Sequence, residues 1–194
     1  MHQKSNTNNR VKITLDAYKN IDQTEHSVRY RWGYITGKIR SDYELLSKIE
    51  LSNKRVLNIG CREPIDEIQF ARIVKKWTTL DFSREVIKFA RKQVDEELSS
   101  TLANKIEFVL GDARHPPFNS ESFDIVVAFS TIEHIPGREN RVSAIKEISR
   151  VTRKGGYVVI TVPNKLSIRW YIRNLIQQRS ENPPYGYEYY YTPW

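Results

Sequence analysis

Two aspartates stand where short apolar runs end. Asp81 closes "WTTLD" (77–81), and Asp112 follows "KIEFVLG" (105–111); a third run, "RVLNI" (55–59), carries Asn58 and passes into Gly60 and Cys61. An ionised carboxylate only accepts hydrogen bonds, and an acidic residue some twenty positions after a glycine turn commonly holds a pair of ribose hydroxyls. Asp81 stands at that spacing from Gly60. Both aspartates could instead be cap or turn residues, a role aspartate often fills. A second group with chemical potential is the pair Glu133 and His134. A histidine near a reacting centre can serve as general base toward a hydroxyl, whereas a place at the opening of the segment after the fourth apolar run favours a structural role.

The elements that must position these residues alternate along the chain. Strands are predicted at 55–59, 77–81, 105–111, 123–129 and 157–162, each short and rich in β-branched residues. Between them, Pro64 opens a helix through "IDEIQFARIVKK". Ser83 caps one through "REVIKFARKQVDEEL", with Val86, Phe89, Ala90 and Val94 as its buried stripe. "RENRVSAIKEISRVT" sets Val142, Ile145, Ile148 and Val151 at helical spacing, and Gly155 and Gly156 are expected to stop that helix and turn the chain into the fifth strand. Strand–helix alternation of this kind specifies an α/β fold with a doubly wound parallel sheet and right-handed crossovers. In such a sheet ligands bind outside the carboxyl ends of the strands, where the strand order reverses. Those ends carry Asn58, Gly60 and Cys61; Asp81 and Phe82; Asp112 and Ala113; and Phe129 and Ser130.

Flanking this unit, residues 1–40 read as an amino-terminal extension, partly disordered or helical, followed by a helix that Ser41 can cap. Residues 41–180 form the sheet domain and 181–194 an aromatic tail. The 194 residues suffice for one domain with appendages. No apolar run is long enough to span a bilayer and the amino terminus lacks a signal-peptide pattern, so a cytoplasmic address is expected. Cys61 is the only cysteine, which excludes an internal disulfide and a cysteine-built metal cluster, and no metal site is expected. The net charge of +8 is concentrated in residues 137–180, with ten Lys and Arg against two acidic residues. Such a patch suits RNA or anionic lipid, or is simply a solvated face. Within it, "LSIRWYIRNLIQQR" (166–179) reads as a basic amphipathic helix that could cover its own sheet or lie on a membrane or nucleic acid.

With these residues in view, the chain from about 41 to 192 resembles the class I methyltransferases that use S-adenosylmethionine. The resemblance rests on "GDARHPPFNSESFDIVVAFSTIEHIP" (111–136) and "EISRVTRKGGYVVITVPN" (147–164). It implies a Rossmann-like sheet of order 3-2-1-4-5 and S-adenosylmethionine as cofactor. By resemblance, Asp81 with Phe82 after it would bind the ribose side, Asp112 would accept from the adenine amino group, and Ala113 would offer a backbone donor to the ring. Gly60 and Cys61 would lie beside the cofactor, and Phe129 and Ser130 would border its methionine portion.

The departures cluster in the opening turn. The family pattern asks for an acidic residue and then alternating glycines, at positions held here by Asn58, Gly60, Arg62 and Pro64. Arg62 could block close approach of the ligand, or its guanidinium could pair with the cofactor's carboxylate. The chain also stops at Trp194, before the last two strands of the usual seven. The resulting edge at the fifth strand points to a fragment, a natural truncation, or cover by the tail or a second copy as a homodimer. The methyl acceptor is not specified by these features, and a degenerate, non-catalytic binder of an adenosine-type ligand or a partner is the alternative reading.

Overall fold

The computed structural model describes residues 44–61, 63–164, 166, 189, 191 and 192. The amino-terminal extension, Ser41, Arg62, most of the 166–179 segment and most of the tail lie outside the described residues.

Five strands form one parallel sheet of order β3-β2-β1-β4-β5. They are β1 (Arg55–Ile59), β2 (Lys76–Asp81), β3 (Ile106–Leu110), β4 (Phe123–Phe129) and β5 (Thr152–Thr161). Helices α1 (Ile65–Phe70), α2 (Arg84–Glu97), α3 (Ser100–Ala103) and α4 (Arg138–Val151) make the connections. The order reverses between β1 and β4, so their carboxyl ends flank the crevice where such folds take ligands.

Strand alternation sorts the core into two faces. Val56, Trp77, Ile125 and Val127 pack with Leu46, Phe70 and Val74, where the Phe70 and Trp77 rings stack at 6.1 Å. Leu57, Ile59, Leu80, Val126 and Ala128 pack on the other face with Ala144, Ile148 and Val151 of α4. At the amino ends of the strands, Asp124 ties three of them together. Its carboxylate accepts from the Arg55 backbone N–H at 2.7 Å and pairs with Arg153 Nε at 2.9 Å. Asp124, within the run 111–136 that carries the resemblance, is therefore a structural clamp at the end of the sheet remote from the crevice.

Ser83 caps α2 as its sequence indicates: the hydroxyl accepts from the Val86 N–H at 3.3 Å. Ser83→Ala is expected to lower stability by about 1 kcal/mol, read as a shift in the urea midpoint.

Four local expectations are corrected. Helix α1 ends at Phe70 instead of running through "ARIVKK", and Lys76 already belongs to β2. Phe89 is only half-buried, and Ile87 takes its place in the stripe of α2. Helix α4 is rotated: Arg141, Ala144, Ile148 and Val151 are buried, while Val142 and Ile145 are exposed. The helix turns the smaller Ala144 toward β4, which permits close packing, and buries Arg141 because that guanidinium finds partners of its own. Finally, Gly155 and Gly156 lie inside β5. Between Phe123↔Thr152 and Ile125↔Tyr157 the fifth strand uses five residues where β4 uses two, a bulge that Gly155 permits at φ +71. A Cβ on Gly156 would come within 2.6 Å of the Asp124 carbonyl oxygen.

Candidate cofactor site

The site is built from the turns that leave β1, β2, β3 and β4. Gly60 leaves β1 at φ +87, with its N–H donating to the Leu80 carbonyl at 2.8 Å. A side chain there would meet Thr131 Oγ1 at 2.4 Å, so the turn after β4 closes directly over the turn after β1. Glycine is required twice over, for its dihedral and for the close approach.

Asp81, at the end of β2, is buried and bridges two turns. One carboxylate oxygen accepts from Cys61 N–H at 2.8 Å and the other from Ser83 N–H at 2.8 Å. A carboxylate offers about four lone-pair positions, so each oxygen keeps capacity for a further donor. Two acceptors locked in place by the backbone are what a pair of vicinal hydroxyls needs. Burial raises the Asp81 pKa, and the backbone N–H groups of Cys61, Ser83 and Phe82 oppose that rise. Phe82 is largely exposed beside it. The Cys61 thiol is buried, and its pKa is pushed well up by burial and by the charges of Glu67 and Asp81, which makes it a poor nucleophile.

Asp112 and Ala113 follow Gly111 beyond β3. The Asp112 carboxylate accepts from the Arg114 backbone N–H at 2.8 Å and is gripped by the Arg114 guanidinium. Partial burial works against its charge, but the Arg114 hydrogen bonds and positive charge outweigh that and hold the carboxyl below its usual range. An adenine amino group would therefore share Asp112 with Arg114. At the end of β4, Phe129 is half-buried and Ser130 adopts φ +48, its N–H donating to the Thr161 carbonyl at 3.0 Å.

Glu133 and His134 lie in a single 3-10 turn, Ile132–His134. The Glu133 side chain is buried, His134 is half-buried, and the Glu133 carbonyl accepts from Tyr189 N–H at 2.9 Å. The tail returns here: Tyr191 N–H donates to the Pro163 carbonyl at 3.2 Å, and the Arg141 guanidinium carbon lies 4.0 Å from the Tyr189 ring centroid.

Two buried acids of α1, Asp66 and Glu67, went unforeseen, and the second reaches into the sheet. Glu67 Oε1 accepts from Asn58 Nδ2 at 2.8 Å and from Thr79 Oγ1 at 2.7 Å, joining α1 to β1 and β2. Its available sequence signal is a glutamate three positions before the buried Phe70, on the face a short helix must bury. Burial raises its pKa against the hydrogen bonds of Thr79 and Asn58. The Trp77 N–H lies near enough to favour the charged form without the geometry of a full hydrogen bond.

Glu67 and Asp81 share one consequence for stability. A carboxyl whose folded pKa is raised contributes stability fully below its unfolded value, and that contribution is lost as pH rises through the folded pKa. The melting temperature is thus expected to fall as pH rises above the ordinary carboxylate range. Glu67→Gln, which cannot titrate, should flatten that decline in melts recorded across pH 4–8, a span set by carboxylate titration. Asp112, with a lowered pKa, works oppositely: its contribution is lost as pH falls through its folded value.

Sheet order, the glycine turn and the strand-end acids together define a Rossmann-like nucleoside-binding fold. Residues 57–160, more than half the chain, match the family model described as a methyltransferase domain, and the chain belongs to that family, whose class I members use S-adenosylmethionine. The ubiquinone biosynthesis O-methyltransferase of Vibrio cholerae is 26% identical over 165 residues, covering 78% of this chain. The chain spans 64% of that relative's length. Among solved structures, a SAM-dependent methyltransferase of Thermotoga maritima superposes with a TM-score of 0.63 at 20% identity, over 88% of this chain and 72% of that one. One from Aquifex aeolicus does so at 0.57 and 15% identity, over 77% and 71%. At these identities the two structures establish the fold alone.

S-adenosylmethionine is the cofactor this family implies, and the residues present suit it. Asp81 retains acceptor capacity on both oxygens, and the buried Asn58 Oδ1 lacks a donor among the described residues. A cationic ligand rich in hydrogen-bond donors matches such a set of acceptors. Among the described residues there is no cluster able to hold a metal and no helix long and apolar enough to cross a membrane.

Proposed function

We propose that this chain is the cofactor-binding and catalytic part of a methyltransferase acting on an acceptor held beyond the carboxyl ends of β4 and β5. The cofactor supplies an electrophilic methyl on a sulfonium. That methyl would pass to a lone pair of the acceptor, with the sulfur leaving as a neutral thioether and the acceptor's proton, where it has one, going to solvent. The protein's part is to orient. Asp81 would anchor the ribose, Asp112 and Ala113 would address the adenine, Asn58, Gly60 and Cys61 would lie along the cofactor, and Phe129 and Ser130 would border its reactive end. Arg62 would answer the carboxylate. Positioning of this kind supplies much of the rate of a bimolecular transfer, and a dedicated base is not obligatory. His134, half-buried, is the better placed of the two candidate bases, because the Glu133 side chain is enclosed.

The single observation that carries this reading is the Asp81 carboxylate, held by the turn after β1 and by the start of α2, with lone pairs to spare. The name of the Vibrio relative makes oxygen the first acceptor atom to try. A cytoplasmic setting suits such chemistry, and the basic 137–180 segment adds RNA and anionic lipid to the acceptors worth testing. Isothermal titration is expected to give micromolar affinity for S-adenosylmethionine and S-adenosylhomocysteine. Methyl-labelled cofactor with hydroxylated aromatic, RNA and anionic lipid acceptors then reads transfer. No detectable binding of either ligand overturns the proposal, and tight binding with no transfer to any acceptor class favours a non-catalytic binder.

A further inference from the structure

We propose that Glu67 is a positioning residue for the amino-acid end of the cofactor: it fixes the Asn58 amide so that Asn58 Oδ1 is left as an acceptor for the ligand's α-ammonium group. The proposal rests on the chain binding S-adenosylmethionine and extends that reading to Glu67, which it does not use.

The argument begins with which atom of the Asn58 amide faces which neighbour. The oxygen of Glu67 that meets Asn58 also receives the Thr79 hydroxyl, so it acts as an acceptor. The Asn58 atom facing it must then be the amide nitrogen, because two acceptors would repel. That settles the other half of the side chain. Oδ1 is the other end of that amide, buried and with no donor among the described residues. Buried carbonyl oxygens are rarely left so, and each exception calls for a partner.

Location says what partner to expect. Asn58 is one residue short of the end of β1 and two before Gly60, at the mouth of the crevice between β1 and β4. The Cys61 thiol, in the same turn, is close enough to feel the charges of both Glu67 and Asp81. A missing donor beside two carboxylates is best supplied by a cation that donates hydrogen bonds. An ammonium is such a group, and the cofactor carries one at the end opposite its adenine. Glu67 therefore acts through Asn58, by orientation and by charge, without touching the ligand. A merely structural Glu67 would tie α1 to the sheet and do no more.

Two ligands separate these roles. S-adenosylhomocysteine carries the amino-acid end, whereas 5′-methylthioadenosine keeps the nucleoside and thioether and lacks it. Both are titrated calorimetrically into the wild type, Glu67→Leu and the double exchange Asn58→Asp with Glu67→Gln, with thermal melts on each. Glu67→Leu frees the amide to turn, and affinity for S-adenosylhomocysteine is expected to fall about 10-fold while that for 5′-methylthioadenosine stays within about twofold. The double exchange places the acceptor charge on the strand and the donor on the helix, and should bind S-adenosylhomocysteine at least as tightly as the wild type. Equal losses for both ligands in Glu67→Leu, or no loss for either, overturn the proposal. So does a double exchange that loses S-adenosylhomocysteine selectively, and that variant decides alone if Glu67→Leu fails to fold. Should the wild type bind neither ligand, the cofactor reading falls and takes this one with it; a wild type that binds both confines any failure to Glu67.

Discussion

Asp81→Asn is expected to weaken S-adenosylhomocysteine binding about 10- to 100-fold and to lower the melting temperature as well. The first effect follows from the strength of hydrogen bonds to a charged acceptor, about 1.5–3 kcal/mol, against 1.4 kcal/mol per decade of affinity. The second follows from what the carboxylate already does in the folded chain. Each of its oxygens receives a backbone N–H at 2.8 Å, one from Cys61 and one from Ser83. Asparagine has one acceptor oxygen, so its amide nitrogen must face one of those two donors. That donor is left buried and unpaired at a cost of about 1–3 kcal/mol. The variant therefore opens either the turn after β1 or the entry to α2, and the cofactor site loosens with it. Calorimetric titration and a melt on the same sample read the two effects separately. Affinity within about threefold of wild type would remove Asp81 from the ribose role, taking the hydrogen-bond magnitude above as the measure.

Gly60→Ala should be the most destabilising single methyl addition in the site, at about 2–5 kcal/mol from left-handed backbone strain plus overpacking. Against a typical domain stability of about 5–15 kcal/mol, that is a large fraction. The new Cβ would sit 2.4 Å from Thr131 Oγ1 and 2.8 Å from its Cγ2, at φ +87. The two contributions can be separated, because Thr131→Ala deletes both crowding atoms and leaves the dihedral untouched. The double variant is expected to recover roughly the overpacking share, about 1–3 kcal/mol, in urea denaturation. A Gly60→Ala variant within about 1 kcal/mol of wild type would mean that the turns after β1 and β4 do not meet as described.

The buried cation of α4 shows why some of this was out of reach of the sequence. Spacing alone put Val142 and Ile145 inside, yet the helix buries Arg141, whose Nη1 donates to the Ile135 carbonyl at 3.1 Å and whose guanidinium lies against Tyr189. Arginine can be buried where its donors and its flat face are both matched, and those partners come from a loop and from a tail remote in sequence. The apolar period of a helix reports a range of faces; which one turns inward is settled by what waits there. Gly155 and Gly156 mislead in the same way. A glycine pair after a helix reads as a stop, but here the strand begins first and the glycines form the bulge that brings β5 past Asp124.

By itself the sequence determined the five strands, their parallel arrangement, the cap at Ser83 and the acids at the strand ends, while the order 3-2-1-4-5 came from the family resemblance. Each of these follows from local periodicity or from the rule that ligands gather at the carboxyl ends of a doubly wound sheet. Tertiary structure alone decided that Thr131 stands behind Gly60 and that Glu67 reaches Asn58 and Thr79. The physical reason is range: periodicity is set by neighbours a few residues apart, whereas hydrogen bonds and close contacts hold over about 3 Å between elements that only the folded packing brings together.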